Sequence, residues 1–269
     1  DAPMYFGDNV SVPVSDTVLR SPNQKLTDQQ KAAQKNEQDT PHYLNMLSYQ
    51  LYSAIGLENI YRLRKLPNST QEKVLNNRTL GNVIGQKKGI SAAFDKMEEL
   101  FFGLQEAAKD GDMEQTPIRY KYEFISTGRL QMSGPQNPQA NKMMRHVVLP
   151  TKDTVDLTND DMLSNFELAV AQGLGVKVHN MPRSKMKAEL LAKVGTLTGK
   201  KAIEGLQEWS KNPADPMSAA TMDWLAEFFG DGFSDAGLYA LLEYSRFLGS
   251  SKQELANFTT SIYVEADGV

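Results

Sequence analysis

Two stretches of this 269-residue chain hold residue types whose spacing could do chemistry. The first is the C-terminal YVEADGV. A strand ending in Asp267-Gly268 sets one carboxylate at its tip, and the Gly lets backbone or ligand come close. Two-metal nucleotidyl-transfer sites hold magnesium in this way. Asp-Gly at a strand end is also a common hairpin turn, and both readings stay open. The second stretch is STGRLQMSGPQNPQANKMMR, residues 126–145. Arg129 offers a planar fork to phosphate. Asn137-Pro138-Gln139 is expected to open a basic helix, whose N-terminus would offer free N–H groups. Lys142 and Arg145, three apart, would share a face of that helix. Asn137 and Gln139 could bond to sugars or base edges. The plainer reading is a basic surface turn followed by a capped helix.

Other candidates are weaker. Gly173-x-Gly175 lacks the lysine and hydroxyl of a phosphate loop. His179 reads as structural, and Tyr49, Tyr52 and Tyr61 as packing residues. Arg246 could contact phosphate, but a buried salt bridge is the favoured reading. No Ser/His/Asp grouping stands out.

Charge supports the second stretch. The net charge of −4 hides an island: residues 117–152 carry six basic residues and one acidic one, while residues 203–269 carry three basic and eleven acidic. A basic island in an acidic chain suggests a polyanion site, or simply a solvated face. There are no cysteines and three histidines, which excludes disulfides, thiol nucleophiles and thiolate zinc sites. No apolar run has a membrane helix's length, and DAPMYFGDNV is not expected to be a secretory signal. The chain starts at Asp1 and stops after YVEADGV, so both ends are expected to be cuts through a longer polypeptide.

The elements that must position these residues are mostly helices. Residues 1–26 are expected to form an extended arm. Thr27-x-x-Gln30 is a capping box for a first helix, and Thr40-Pro41 is expected to start a second, running to about Gly56. LENIYRLRKL follows, Ser69-x-x-Glu72 caps a short helix, and residues 91–109 form a longer one. The period then falls to two in RYKYEFI, a half-buried strand leading into the turn at Ser126–Arg129. Pro150 to Thr158 is expected to be loop. Helices are expected at 160–173, 183–194, 200–210, 216–229 and 235–248, with Asp215-Pro216 and Ser234 as caps. FTTSIYVEA reads as the strand that delivers Asp267. The fold class is therefore α+β and mainly helical, with few strands. The expected division is an arm (1–26), a helical region (27–116) and a third region (117–269).

In order along the chain, MYFGDNVSVPVSDTVLR, GRLQMSGPQNPQANK, HVVLPTKDTVDLT, VKVHNM, LLEYSRFL and IYVEADGV resemble the single-subunit phage RNA polymerase family. The likeness is nearest to its virion-encapsulated branch in N-four-like phages. It covers nearly the whole chain, and the gap of 138 residues from Arg129 to Asp267 fits it. The resemblance implies that residues 117–269 begin a polymerase palm with a helical insertion, ending at motif A. It implies that Asp267 binds two catalytic magnesium ions, that the Gly268 carbonyl adds a ligand, and that Arg129 contacts template or hybrid. It implies further that Asn137, Gln139 and Arg145 fall on the segment that touches nucleic acid, where Lys142 is the other basic candidate. Ile125 stands where the branch has Thr. The implied parent copies a DNA template, single-stranded with a hairpin promoter, into RNA from nucleoside triphosphates. It would be carried in the virion and act in the host cytoplasm. Motifs B and C are absent from this chain, which is therefore expected to be inactive without the rest of the polymerase. The rival reading is a non-enzymatic helical virion module that binds single-stranded nucleic acid.

Overall fold

Helix starts in this chain follow the side chains that take up free backbone N–H groups. The structure, a computed structural model, describes residues 2–6, 10–14, 25–125, 128–134, 136–149 and 152–262, the first two stretches by backbone alone. Its helices are α1 (Asp28–Asp39), α2 (Met46–Ile55), α3 (Leu57–Leu63), α4 (Ser69–Glu72), α5 (Asn77–Ala108), α6 (Met144–Val147), α7 (Asp160–Gly173), α8 (Arg183–Val194), α9 (Leu197–Trp209), α10 (Ala219–Phe229), α11 (Asp235–Gly249) and α12 (Lys252–Leu255). Its strands are β1 (Ala2–Phe6), β2 (Val10–Val14), β3 (Tyr43–Leu44), β4 (Ile118–Arg119), β5 (Tyr122–Phe124), β6 (Leu130–Met132), β7 (Val148–Leu149), β8 (Asp153–Val155) and β9 (Phe258–Thr260). The chain is mainly helical α+β, and every strand pair among the described residues is antiparallel.

Residues 1–49 and 89–151 form one compact unit, and residues 50–88 and 152–269 a second. In the first, the arm folds into a hairpin, and β1 pairs with β4 through Tyr5↔Arg119 and Phe6↔Ile118. Thr27 and Gln30 form the expected capping box on α1. Thr40 does not start a second helix. It ends α1, and Tyr43–Leu44 pairs with Val148–Leu149 before α2 begins at Met46. Asn45 takes the capping role there, its Oδ1 accepting from the Ser48 N–H at 3.3 Å. Helix α5 packs Met97, Leu100 and Leu104, all fully buried, and Phe101 stacks on Tyr49 at 4.3 Å.

Helix α5 begins at Asn77, well before the expected residue 91. A glycine inside a helix costs about 1 kcal/mol, and α5 carries Gly81, Gly85 and Gly89 in its first half. The Asn76 side chain caps that start by accepting from the Thr79 N–H at 2.9 Å, and Val83 is buried.

The second unit is a helical bundle. Helices α7, α8 and α11 lie within a residue of expectation, while α9 begins three residues early. Two caps differ. The box on α4 is Asn68 with Gln71 rather than Ser69 with Glu72, because Asn68 Oδ1 reaches the N–H groups of both Thr70 and Gln71. Helix α10 is capped by Ser218, since Asp215 is taken by the Asn212 amide at 2.7 Å. Helix α11 carries the core through Leu238, Leu241 and Leu242. Its first residue, Asp235, is 3% exposed and accepts from Arg64 at 2.6 Å and from the Tyr52 hydroxyl at 2.9 Å. Residues 153–155, expected as loop, pair with β9 in the register Asp153↔Thr260. Among the described residues no helix is long and apolar enough to cross a membrane.

Candidate nucleic-acid interface

The hairpin β5–β6 presents Arg129. Its register is Tyr122↔Met132, Glu123↔Gln131 and Phe124↔Leu130. The Ile125 N–H donates to Arg129 O at 3.0 Å, and the Gly128 N–H donates to Ile125 O at 2.9 Å. Gly128 has φ +76°. A three-residue hairpin loop places its last residue in this left-handed region, which glycine enters without the strain a Cβ brings. Arg129 follows immediately, exposed, with no side-chain partner among the described residues. Ile125, at the position where Thr was expected, closes the loop through its backbone, which any residue supplies equally well. Ser126 and Thr127 lie outside the described residues.

The segment after the hairpin differs from expectation. Helix α6 spans only four residues, and residues 136–143 form turns. Asn137 is 3% exposed, and its amide donates to the carbonyls of Gly134 and Met132 while its Oδ1 accepts from the Ala140 N–H at 2.7 Å. Asn141 Oδ1 accepts from the Met143 N–H at 2.9 Å. These side chains take the N–H groups that a helix N-terminus would have offered, and short Asn side chains compete for backbone in this way. Proline also disfavours helical backbone at the residue before it. Lys142 and Arg145 therefore do not share a helix face. Lys142 is exposed, without a partner among the described residues. Arg145 is exposed, but its Nε donates to Pro138 O at 3.0 Å and its Nη2 to Gln139 O at 3.3 Å. Gln139 is exposed and accepts from the Met132 N–H at 2.8 Å. The loop rests on buried polar contacts: the Tyr120 hydroxyl donates to Gln136 O at 2.9 Å, and the Gln136 amide to Glu99 at 3.0 Å. Arg129 and Lys142 are thus exposed and Arg145 is partly tied to loop carbonyls, while Asn137 is turned inward.

The expected strand FTTSIYVEA is described as strand only over Phe258–Thr260, and this β9 is fixed by a buried cluster in the second unit. The Glu243 side chain is 3% exposed and accepts from Arg246 Nη1 at 2.7 and 2.9 Å. It also accepts from the Thr260 hydroxyl. Arg246 Nη2 donates to Thr259 O at 3.2 Å, and its guanidinium lies 4.7 Å from the Phe258 ring centre. Arg246 is thus a salt-bridge residue, as favoured from sequence. The Glu243 spacing of three was visible on the chain; the part played by Thr260 was not. Residues 263–269, with Asp267 and Gly268, lie outside the described residues. Among the described residues no group of three or more His, Asp or Glu could hold a metal ion. His179 is exposed, and Tyr52 and Tyr61 are core residues.

Residues 29–148 match the family model for a virion DNA-directed RNA polymerase domain, and residues 162–248 that for the plug insertion of the same polymerase. The virion DNA-directed RNA polymerase of Enterobacteria phage N4 is 37% identical over 270 residues, covering 99% of this chain. The chain belongs to the virion DNA-directed RNA polymerase family. It spans 7% of the length of that relative. Helices α8, α9 and α10, with nearly all of α7 and α11, fall in the plug-insertion match. The hairpin and its loop fall in the domain match, and Glu243 and Arg246 close the plug-insertion match against β9.

Proposed function

We propose that this chain is the part of a DNA-directed RNA polymerase that carries the Gly-Arg template contact and the strand leading to the first catalytic aspartate. The observation that carries the reading is the likeness to a virion RNA polymerase along 99% of the chain. The hairpin geometry supports it, since a left-handed glycine holds Arg129 clear of every partner among the described residues. In the parent, an RNA 3′-hydroxyl attacks a nucleoside triphosphate on a DNA template and releases pyrophosphate. The template is single-stranded with a hairpin promoter, and the enzyme travels in the virion and works in the host cytoplasm. Arg129 holds a template phosphate with two parallel hydrogen bonds, and Lys142 and Arg145 add charge beside it. Asn137 acts by shaping the loop, and Gln139 keeps its amide NH₂ for a sugar or base. Asp267 and Gly268 offer a carboxylate and a carbonyl oxygen, hard donors of the kind magnesium takes. When bound, such ions neutralise charge on the reacting phosphates. One carboxylate does not make a two-metal site, so the chain alone is inactive.

The test is primer extension by the full-length polymerase carrying Asp267→Ala. The expected result is loss of synthesis with template binding retained. Extension at the wild-type rate would remove Asp267 from the site, and template-dependent incorporation by the isolated chain would overturn the claim that it is inactive.

A further inference from the structure

Residues 153–201 carry nearly balanced charge, but the signs are segregated. Residues 153–176 hold five acidic residues and no basic one, whereas residues 177–201 hold seven basic residues and one acidic. The fold turns this second stretch into a surface. Helix α8 buries Met186, Leu190 and Val194, spaced by four, against the bundle. Helix α9 buries Gly199, Ala202 and Ile203 near its start. All seven basic residues are exposed. Three are occupied internally: Lys187 with Glu167 at 2.8 Å, Lys201 with Glu204 at 2.8 Å, and Arg183 with the Asn165 side chain at 3.2 Å. The other four, Lys177, Lys185, Lys193 and Lys200, have no partner among the described residues.

This arrangement works against the stability of the isolated unit. Neither α8 nor α9 has an acidic residue in its first turn, and α10 also lacks one, whereas α7 and α11 have them. Lys185 and Lys200 stand near the starts of α8 and α9 instead, where the helix dipole disfavours a cation, whereas Lys193 lies in the last turn of α8, where it is favoured. Acidic residues are plentiful elsewhere in the unit, yet among the described residues none pairs with the four free lysines. Leu197, three residues before Lys200 and so on its helix face, is 66% exposed. A local violation of helix electrostatics, repeated on two consecutive helices and left unneutralised, marks a surface kept for a partner of opposite charge.

We propose that the α8–α9 surface binds the phosphodiester backbone of a nucleic acid independently of base sequence, as a second contact apart from the Arg129 loop. The partner fits because phosphates arrayed along a flexible strand can each meet one ammonium group, and the exposed Leu197 can lie against a sugar. The inference does not depend on the roles proposed for Arg129 and Asp267.

The test is oligonucleotide binding by this 269-residue chain across a salt series, using a single-stranded 20-mer of mixed sequence and the matching duplex. The variant carries Lys177→Gln, Lys185→Gln, Lys193→Gln and Lys200→Gln together. The expected result is a fall in the log–log salt slope of about 0.7 for each lysine–phosphate pair removed on the single strand, or about 0.9 on the duplex, with binding at low salt weakened at least about tenfold. The thermal midpoint should hold, because relief at the helix starts offsets loss of the Lys193 charge from the last turn of α8. In a Lys142→Gln, Arg145→Gln chain the contribution of the four lysines should persist. An unchanged slope in the four-lysine variant would overturn the proposal. So would binding of the wild-type chain to phosphatidylserine vesicles with none to either oligonucleotide, which would assign the surface to a membrane.

Discussion

Removing the guanidinium of Arg246 should loosen β9 more than removing the carboxylate that it neutralises. In Arg246→Met, Glu243 keeps its charge, with its side chain 3% exposed and the Thr260 hydroxyl as its remaining partner in the cluster. Breaking a buried ion pair from one side costs about 3–5 kcal/mol. Arg246 is 30% exposed, so water reaches the vacated space and the lower end applies. A cost of about 3 kcal/mol is roughly two decades in an opening equilibrium at 1.4 kcal/mol per tenfold. Glu243→Gln removes the charge and keeps an acceptor for Thr260, while Arg246 turns to solvent. Its cost should be about 1.5 kcal/mol, the lower range for a charge-assisted hydrogen bond. The double replacement Glu243→Met, Arg246→Met leaves no buried charge and should be less destabilised than Arg246→Met alone, since apolar replacement of a buried pair is often neutral or stabilising. Hydrogen exchange of residues 258–262 reads local opening, and urea unfolding reads the global cost. The reasoning fails if Arg246→Met is as mild as Lys211→Met, whose side chain is 71% exposed. It also fails if the double variant is no more stable than Arg246→Met.

Two further outcomes are expected. Arg129→Lys in the full-length polymerase should leave initial template binding largely intact and slow elongation at least tenfold, about 1.4 kcal/mol, because Lys keeps the charge but loses the planar fork; wild-type elongation at matched salt would remove Arg129 from the site. His42 is buried edge-on against Tyr120, and burial holds its pKa below the ordinary 6.5, outweighing a backbone hydrogen bond at Thr40 that acts the other way. The unfolded chain therefore takes up the proton first, so this contribution to stability is present above about pH 6.5 and is lost as pH falls through the folded value. Urea midpoints at pH 7 and pH 5 should converge in His42→Phe relative to wild type, and an identical pH dependence in the two proteins would refute the assignment.

Local chemistry makes much of this chain legible in its residues alone. The capping box at Thr27, the Ser234 cap and the apolar spacing of helices at 160–173, 183–194 and 235–248 depend on residues within a turn or two of each other, and these elements form nearly where the pattern places them. The Gly128-Arg129 turn belongs to the same class, because a left-handed residue at the end of a short hairpin loop is a requirement of the backbone itself. Tertiary pairing decided the rest. Tyr43–Leu44 left a helical pattern for a strand because its partner, Val148–Leu149, lies about a hundred residues away. Asp153–Val155 became a strand only because Phe258–Thr260 was there to pair with it. Asn137 and Gln139 carry similar amide groups two residues apart, yet folding buried one inside the loop and left the other exposed, a choice made by which carbonyls and N–H groups lay within reach. The free lysines of α8 and α9 were visible as letters but not as a surface. Their isolation depends on where the acidic residues of the same unit come to rest, and residue spacing along the chain holds no record of that.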